Sequence, residues 1–285
     1  MALKVGIQLY SVRDAMAQNP IETCKTVANI GYKYLEFANH NGENDFGVGF
    51  GVSAEELNEA LAGSGAQFIS GHNRPLNDDN IAQVLEFNKK IGSKYLCIPS
   101  DFFSSKEELI EKCKEYNRIG AICREAGISY LYHNHHHEFQ KFDGKSVLEL
   151  IAENTDPENF GFEIDTFWCM RAGEDPIEVL KKLGSRVKLI HQKDFSKDSS
   201  SPLNLFSIMD TTGVLGREVF SYNTDDAFAE IGTGIMPIQD ILNCANELGS
   251  VEYVILEQDK TKLDQMESIK VSMESFKKFD GVIFD

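Results

Sequence analysis

Histidine and acidic side chains follow four consecutive predicted strands in the second half of the chain. In chain order they are His133, His135 and Glu138, then Asp165, then His191 and Asp194, then Glu257 and Asp259. Imidazole and carboxylate groups that converge from different strands form sites suited to Mn²⁺, Co²⁺, Mg²⁺ or Zn²⁺. A lone acidic residue after a strand more often caps the next helix, and that role fits Asp194 and Asp259. Taken together, the four segments predict one divalent metal site.

Three further side chains near these segments have both a functional and a structural interpretation. His72 follows the third predicted strand and either contacts substrate or caps its loop. Lys193 either binds a substrate oxygen and stabilises an enolate, or is a solvated lysine. Trp168, the only tryptophan, either stacks on a sugar ring or packs under a loop. We predict that His72, His135 and Trp168 bind substrate.

Short apolar segments alternate with amphipathic segments along the whole chain. The predicted strands are Val5–Tyr10, Tyr34–Phe37, Gln67–Ser70, Tyr95–Ile98, Ser129–Tyr132, Phe160–Ile164, Val187–His191 and Tyr253–Leu256. The predicted helices include Ser53–Gly63, Asp78–Ile91, Lys106–Ala126, Asp175–Leu183 and Pro237–Leu248. Eight strand–helix units of about 36 residues predict an α/β fold of the (β/α)8 TIM-barrel type, which gathers the carboxyl ends of all strands at one face. A doubly wound sheet is the alternative, but residues 8–14 lack its glycine-rich turn.

Alternation along each strand predicts which side chains face the interior of the barrel. The residues two and four positions before His191 and Glu257 are then inward as well: Leu189, Val187, Ile255 and Tyr253. The same rule turns Glu163 inward together with Asp165. An inward Glu163 does not fit an apolar interior, and the sequence does not resolve this.

A single domain over residues 1–285 accommodates all of these elements. One extended loop insertion, at about residues 196–234, separates the seventh strand from its helix. It is rich in Ser, Asp, Thr and Gly. A segment of this length in a compact domain is typically a functional lid or a partner-contact loop.

Charge and composition narrow the class of partner. The chain carries 28 Lys and Arg against 45 Asp and Glu, a net charge of −17, which disfavours nucleic acid and anionic membranes. No segment approaches the roughly 18 apolar residues that span a bilayer, and residues 1–6 lack the features of a secretion signal. The six cysteines show no C-x-x-C spacing and are expected to be small buried side chains. We expect a cytoplasmic protein and leave homo-oligomer formation open.

Seven short motifs stand in a characteristic order along the chain. They are residues 6–14, residues 31–36, Tyr132-His133-Asn134-His135 with Glu138-Phe139, Asp165-Thr166-Phe167-Trp168, His191-Gln192-Lys193-Asp194, Gly232-Thr233-Gly234 and Glu257-Gln258-Asp259. In order and spacing the chain resembles the xylose isomerase-like TIM-barrel superfamily, in particular the bacterial sugar-phosphate isomerase/epimerase group related to inosose dehydratase. The resemblance covers nearly the whole chain.

This resemblance implies one divalent metal ion held by a Glu, an Asp, a His and a second Glu. Asp165, His191 and Glu257 match three of these ligands. The first Glu has no match: many relatives have Glu-Asn-His at the end of the fifth strand, where this chain has His133–His135. Glu138 is the nearby carboxylate.

Two arrangements of the fourth ligand are open. Either Glu138 completes the metal shell and frees His133 as a general base, or His133 is itself the ligand. Because three carboxylates suit a hard divalent ion better, we predict the first arrangement. His133, Glu257 and Lys193 are then the predicted catalytic residues.

The implied reaction is metal-assisted removal of a proton α to a carbonyl on a keto sugar or polyol. We predict a sugar isomerase or epimerase. A lyase, of the inosose-dehydratase or 3-keto-glycoside eliminase type, is the first alternative, and a non-catalytic sugar-binding accessory subunit is the second. An apurinic endonuclease of the same superfamily is rejected because it needs more metal ligands and a basic DNA face. No phosphate-binding cluster is evident, which favours a neutral sugar as the small-molecule partner.

Overall fold

Eight parallel strands form a closed barrel at the centre of the molecule. The computed structural model describes residues 2–211 and 213–285, so Met1 and Thr212, two residues of the predicted domain, lie outside the described residues. The strands are Leu3–Gln8 (β1), Tyr34–Asn39 (β2), Gln67–Asn73 (β3), Tyr95–Ile98 (β4), Ser129–His133 (β5), Phe160–Asp165 (β6), Val187–Gln192 (β7) and Tyr253–Leu256 (β8). Each strand pairs with the next, and β8 pairs with β1. This closure confirms the predicted TIM barrel and rules out the open sheet.

The observed strands differ from the predicted ones mainly at their carboxyl ends. β4 and β8 have the predicted bounds, whereas β2, β3, β5, β6 and β7 run one to three residues further. The added residues are mostly polar or charged, such as Asn73, His133 and Asp165. A hydropathy pattern ends a strand at such residues, but backbone pairing with neighbouring strands continues through them.

Ten helices accompany the strands, and several of them begin at a residue whose side chain caps the first turn. Their bounds are Arg13–Gln18 (α1), Pro20–Ile30 (α2), Ala54–Leu61 (α3), Ile81–Ile91 (α4), Lys106–Glu125 (α5), Val147–Asn154 (α6), Thr166–Arg171 (α7), Pro176–Leu183 (α8), Ile238–Leu248 (α9) and Gln265–Phe276 (α10) among the described residues. Ser53 and Ser146 form capping boxes with the glutamates three residues later. Asp165 caps α7, since its Oδ1 accepts a hydrogen bond from the Trp168 amide at 3.0 Å.

Apolar side chains fill one part of the barrel interior. The interior cluster is Tyr34, Ile69, Tyr95, Cys97, Leu131, Leu189, Tyr253 and Ile255. The predicted inward positions of Leu189, Tyr253 and Ile255 are thus confirmed. Val187 was predicted inward but belongs to the core between strands and helices, and the register between β6 and β7 shifts at this point.

The expectations for cysteines and for membrane spans can also be compared with the described residues. All six cysteines are free and buried, as expected for small core side chains. None of the described helices combines the length and the apolar character required to cross a bilayer.

A fully buried arginine holds one side of the insertion between β7 and α9. The guanidinium of Arg171 donates hydrogen bonds to the Pro202 carbonyl, to Ser201 Oγ at 2.9 Å and to Asn223 Oδ1 at 3.1 Å. It also lies 5.0 Å from the centre of the Phe195 ring. Burial lowers the pKa of Arg171 to about 10. The helix that follows β6 therefore positions the insertion.

A buried aspartate holds the other end of the insertion. The carboxylate of Asp194 accepts hydrogen bonds from the backbone amides of Phe195, Gly232, Gly234 and Met236, at 2.9 to 3.0 Å. A Cβ atom on Gly234 would collide with this carboxylate. The sequence suggested that Asp194 caps a helix. In the structure it instead anchors the insertion where the insertion returns to the barrel.

We predict that Asp194→Ala lowers the free energy of unfolding by about 3 kcal/mol, because four buried or half-buried amides lose a charged acceptor. Urea denaturation measures this change, and limited proteolysis should show faster cleavage within residues 196–234. The matched control is Asp198→Ala at an exposed site of the same segment, with an expected change within about 0.5 kcal/mol. Equal stability of the two variants would contradict the anchoring role.

Candidate active site

Four ionisable side chains from consecutive strands meet at the carboxyl-end face of the barrel. His133 ends β5, Asp165 ends β6, His191 lies one residue before the end of β7, and Glu257 directly follows β8. Each offers one ligand atom, and these atoms all lie within 4.8 Å of one another. All four residues are buried, and Glu257 is the most exposed at 8%. Two imidazole nitrogens and two carboxylate oxygens fit a divalent ion.

We call the opening of the barrel at its carboxyl-end face, where these four residues meet, the mouth. Each of the two histidines directs one ring nitrogen toward the mouth and the other toward a buried carboxylate. His191 Nδ1 is 2.9 Å from Glu257 Oε2, and His133 Nε2 is 3.9 Å from Asp165 Oδ2. On the far side, His133 Nδ1 is 3.2 Å from Glu163 Oε2, and His191 Nε2 is 3.2 Å from Glu163 Oε1. Carboxylates placed in this way orient metal-binding histidines and fix their tautomers.

A second layer of polar side chains packs against the set inside the barrel. His72 Nε2 lies 2.6 Å from Glu163 Oε2 and 3.3 Å from Glu36 Oε1. Glu36 Oε1 also accepts a hydrogen bond from Gln8 Nε2 at 2.8 Å and lies 2.7 Å from His191 Nε2. His72 is only 4% exposed. His72 is thus part of this buried network, and its predicted contact with substrate stays a prediction.

Glu138 does not join the four residues at the mouth. Its Oε1 accepts a hydrogen bond from the Tyr132 hydroxyl at 3.0 Å, and its Oε2 accepts one from the His135 amide at 2.8 Å. Among the described residues, Glu138 is in none of the groups of His, Cys, Asp and Glu that could hold an ion. This geometry does not support the predicted role of Glu138 as fourth ligand, because the short 3-10 turn after β5 points its carboxylate into its own loop. It favours the alternative, His133.

Burial and mutual attraction set the charge states in this cluster. Burial raises the pKa of Glu36, and the neighbouring Glu163 raises it further. Burial alone would also raise the pKa of Glu163, but the positive charges of His191 and His72 outweigh it and hold this pKa well below its usual range. Burial is likewise outweighed at His191, whose pKa is raised well above its usual value by Glu163, Glu36 and Glu257. Protonated histidines therefore balance the buried carboxylates, and a divalent ion bound at this face would replace those protons as the source of positive charge.

Lys193 brings a buried positive charge to the same mouth. Its Nζ donates hydrogen bonds to Asp165 and to Glu257, the latter at 2.5 Å, and lies 3.8 Å from Asp259 Oδ2. Burial opposes the charge, but the carboxylates of Asp165, Asp259 and Glu257 outweigh it and raise the pKa of Lys193. At 1% exposure, Lys193 is not the solvated lysine of the structural interpretation.

Asp259 is part of the site and not a helix cap. The residue that caps α10 is Asp264, five positions later. Burial raises the pKa of Asp259 to about 7, with Glu257 and Asp165 adding to the effect and Lys193 opposing it. A carboxyl group that titrates near neutral pH beside a cluster of ligands is suited to proton transfer.

Trp168 and His135 form an aromatic wall beside Lys193. Trp168 is 3% exposed, its ring lies 5.3 Å from that of His135, and Lys193 Nζ lies 5.6 Å from the ring centre. The ring also contacts Phe228 of the insertion, with 6.2 Å between centroids. The packing interpretation of Trp168 is therefore met. Trp168 Nε1 and His135 Nδ1 nevertheless have no hydrogen-bond partner among the described residues, so both can still bind a ligand's hydroxyl groups.

Sequence reasoning undervalued three residues of this site. Alternation from Asp165 indicates an inward Glu163, but a glutamate does not fit an apolar barrel interior. Glu36 lies within the motif at residues 31–36, yet no partner for it is visible in the sequence. Asp259 was interpreted as a helix cap. In each case the missing information was the neighbouring charge, which comes from a strand distant in sequence.

Comparison with known proteins identifies relatives among sugar-converting enzymes. Over 172 residues the chain is 28% identical to an inosose dehydratase of Mesomycoplasma hyopneumoniae (strain 7448), a match that covers 60% of this chain and 55% of the relative. The chain thus spans about half the length of this curated relative.

Two solved structures share the fold over almost the whole chain. A sugar phosphate isomerase/epimerase from Parabacteroides distasonis ATCC 8503 has a TM-score of 0.74 at 22% identity, covering 99% of this chain and 96% of that one. The IOLI protein with a bound zinc atom has a TM-score of 0.70 at 16% identity, covering 97% of each chain. The sequence profile described as xylose isomerase-like TIM barrel matches residues 24–279, and this chain therefore belongs to the xylose isomerase-like TIM-barrel family.

Proposed function

We propose that this protein is a divalent-metal-dependent sugar isomerase or epimerase that removes a proton next to the carbonyl group of a keto sugar or polyol. The observation that carries the proposal is the convergence of His133, Asp165, His191 and Glu257 beside the buried ammonium of Lys193. Similarity to an isomerase/epimerase and to a dehydratase supports the same type of chemistry.

The four residues at the mouth would hold Mn²⁺, Co²⁺, Mg²⁺ or Zn²⁺ through two nitrogen and two oxygen donors. A bound ion supplies Lewis-acid polarisation of the substrate carbonyl. Glu163 supports the site by accepting a hydrogen bond from His133 Nδ1 and by lying 3.2 Å from His191 Nε2, which itself donates to Glu36 Oε1. These contacts keep the near nitrogens free to ligate. This revises the predicted role of His133 from general base to ligand.

The other residues at the mouth divide the proton chemistry among them. The Lys193 ammonium donates a hydrogen bond to the substrate oxygen on which negative charge develops. Asp259 follows β8 and His135 follows β5, so the two reach the mouth from different sides of the barrel. Asp259 titrates near neutral pH and serves as the base, while His135 Nδ1 is available to bind a substrate hydroxyl or carry a proton.

A lyase is the second candidate, and the similarity to inosose dehydratase favours it. Elimination from a ketone begins with the same removal of a proton next to the carbonyl and differs in the departure of a leaving group from the adjacent carbon. Both reactions therefore use the same residues. A non-catalytic sugar-binding subunit fits less well, because burying several ionisable groups is costly and a binding surface does not require them.

We predict that the Mn²⁺-loaded protein, incubated with keto sugars and inososes in D₂O, exchanges a carbon-bound proton for solvent deuterium. Deuterium in recovered or rearranged sugar, measured by mass spectrometry, indicates isomerase or epimerase activity, and loss of water or aglycone indicates a lyase. Asp259→Asn should retain the metal and slow exchange by about 10²- to 10⁴-fold. If the panel binds to the metal-loaded protein without exchange or elimination, the binding-subunit alternative replaces the enzyme.

We predict that His133→Ala loses most of the bound metal, whereas Glu138→Gln keeps it, since only His133 lies with Asp165, His191 and Glu257. Elemental analysis after dialysis against metal-free buffer measures the metal content per chain. Circular dichroism confirms that both variants are folded. The reverse result would return Glu138 to the metal shell and His133 to the role of base.

We predict that Glu163→Gln lowers metal affinity by about 10- to 100-fold without removing any ligand, because a neutral amide orients the two histidines less strongly. Competition with a chelator of known affinity measures the change. Glu138→Gln is the matched control, since Glu138 is equally buried but contacts Tyr132 and the His135 amide instead. Unchanged affinity in Glu163→Gln would show that Glu163 serves the barrel core alone.

A further inference from the structure

A cavity of about 520 Å³ lies beside the candidate active site, between the loops that follow β2, β3 and β4 and the insertion. The side chains that line it include His40, Arg74, Phe102, Arg217 and Phe220. Its volume is within the range of sites that bind small molecules. The lining combines two guanidinium groups with two phenyl rings. The candidate metal ligands contain neither kind of group, so the cavity would bind a different chemical group from the one at the mouth.

The cavity adjoins the mouth of the barrel through aromatic contacts. The Phe220 ring lies 5.1 Å from that of His135, and Phe102 stacks on His137 at 4.2 Å. On the opposite side, His40 is close enough to Glu257 for that carboxylate to influence its pKa, which burial lowers overall. A ligand whose reacting carbons lie beside Lys193 can therefore extend a substituent into this cavity.

The two arginines of the cavity keep most of their hydrogen-bonding capacity free. Arg74 Nη1 donates to the Ser100 carbonyl at 2.9 Å and to Ser100 Oγ at 3.3 Å, which leaves Nε and Nη2 without a protein acceptor among the described residues. Within the part of the chain that the structure describes, arginine–carboxylate ion pairs join Arg118 to Asp78 and Arg124 to Glu158. Among the residues that the structure describes, neither Arg74 nor Arg217 has a carboxylate partner of this kind.

The position of these arginines matters because the rest of the chain repels anions. With a net charge of −17, an unassisted surface would disfavour a negatively charged ligand. Glu43 also lines the cavity, but it is exposed and forms no ion pair with either guanidinium. A planar guanidinium with free N–H groups matches the paired oxygens of a carboxylate or phosphate.

We propose that this cavity is a subsite for an anionic substituent of the ligand, a carboxylate or a phosphate monoester on a sugar, bound by Arg74 and Arg217. Phe102 and Phe220 cover the apolar face of the same substituent's carbon skeleton. The sugar part of this assignment rests on the proposed function, whereas binding of the anion does not require turnover. This proposal revises the expectation of a neutral sugar. The sequence shows no anion-binding cluster because Arg74 and Arg217 are far apart along the chain.

The test is isothermal titration calorimetry of the metal-loaded protein with four probes: glucose, glucuronate, glucose 6-phosphate and inorganic phosphate. We expect glucuronate or glucose 6-phosphate to bind at least about tenfold more tightly than glucose, with one site per chain. The stronger of the two identifies the anion as carboxylate or phosphate. The preference must persist after chelation of the metal, which separates the arginine subsite from anion binding to the ion.

Arginine variants complete the test. Arg217→Ala, at an exposed position, should remove most of the preference and leave glucose binding unchanged, and Arg74→Lys should weaken it while preserving charge. Arg118→Ala and Arg124→Ala are matched controls on ion-paired surface arginines. Equal binding of all sugars, a preference that survives Arg217→Ala, or a preference that disappears with the metal would each overturn the subsite. None of these results bears on deuterium exchange, so the proposed function stands or fails separately.

Discussion

Negative charge buried inside the barrel is the constraint on which the rest of this structure depends. Glu36, Glu163, Asp165 and Glu257 are all at most 8% exposed, and Lys193 is the buried ammonium that touches two of them. Unpaired carboxylates in such a place are strongly destabilising. The imidazoles between them and the lysine beside them keep the cluster compatible with folding, and a divalent cation could take over the charge that the protonated imidazoles supply.

The replacement of a glutamate by His133 at the end of β5 changes where this charge lies. The resemblance implies three carboxylates and one histidine around the ion, whereas the mouth here has two of each. Glu163 supplies a third carboxylate one layer further in, within 3.2 Å of both ligand histidines. Glu163 therefore contacts both imidazoles from the inner side of the barrel, and it also forms a group with His72, His133 and His191 whose ligand atoms all lie within 4.8 Å of one another. This arrangement reconciles an inward-facing glutamate with a barrel interior that is otherwise apolar.

The insertion after β7 adjoins both the mouth, where the candidate metal ligands meet, and the cavity that we propose as an anion subsite. Arg171 and Asp194 hold its two sides to the barrel, the first through side-chain and carbonyl acceptors and the second through four backbone amides. The held segment carries Arg217 and Phe220 to the edge of the mouth. Within these motifs, Lys193 contacts the buried carboxylates of Asp165 and Glu257. Asp194, through the amides of Gly232 and Gly234, fixes the insertion to the barrel.

The sequence by itself determined the barrel, because eight apolar segments alternating with capped helices leave few other arrangements. It also determined that Asp165, His191 and Glu257 share one face, since the carboxyl ends of parallel strands must meet. Only the tertiary structure places His133, and not Glu138, beside Asp165, His191 and Glu257, because a single turn after β5 sets the direction of each side chain. Tertiary structure also placed Glu36 and Glu163 beside the histidines and Asp259 beside Lys193, and it brought Arg74 and Arg217 to the lining of one cavity. These depend on charges and close approaches between segments distant in sequence, which local patterns of hydropathy and spacing do not encode.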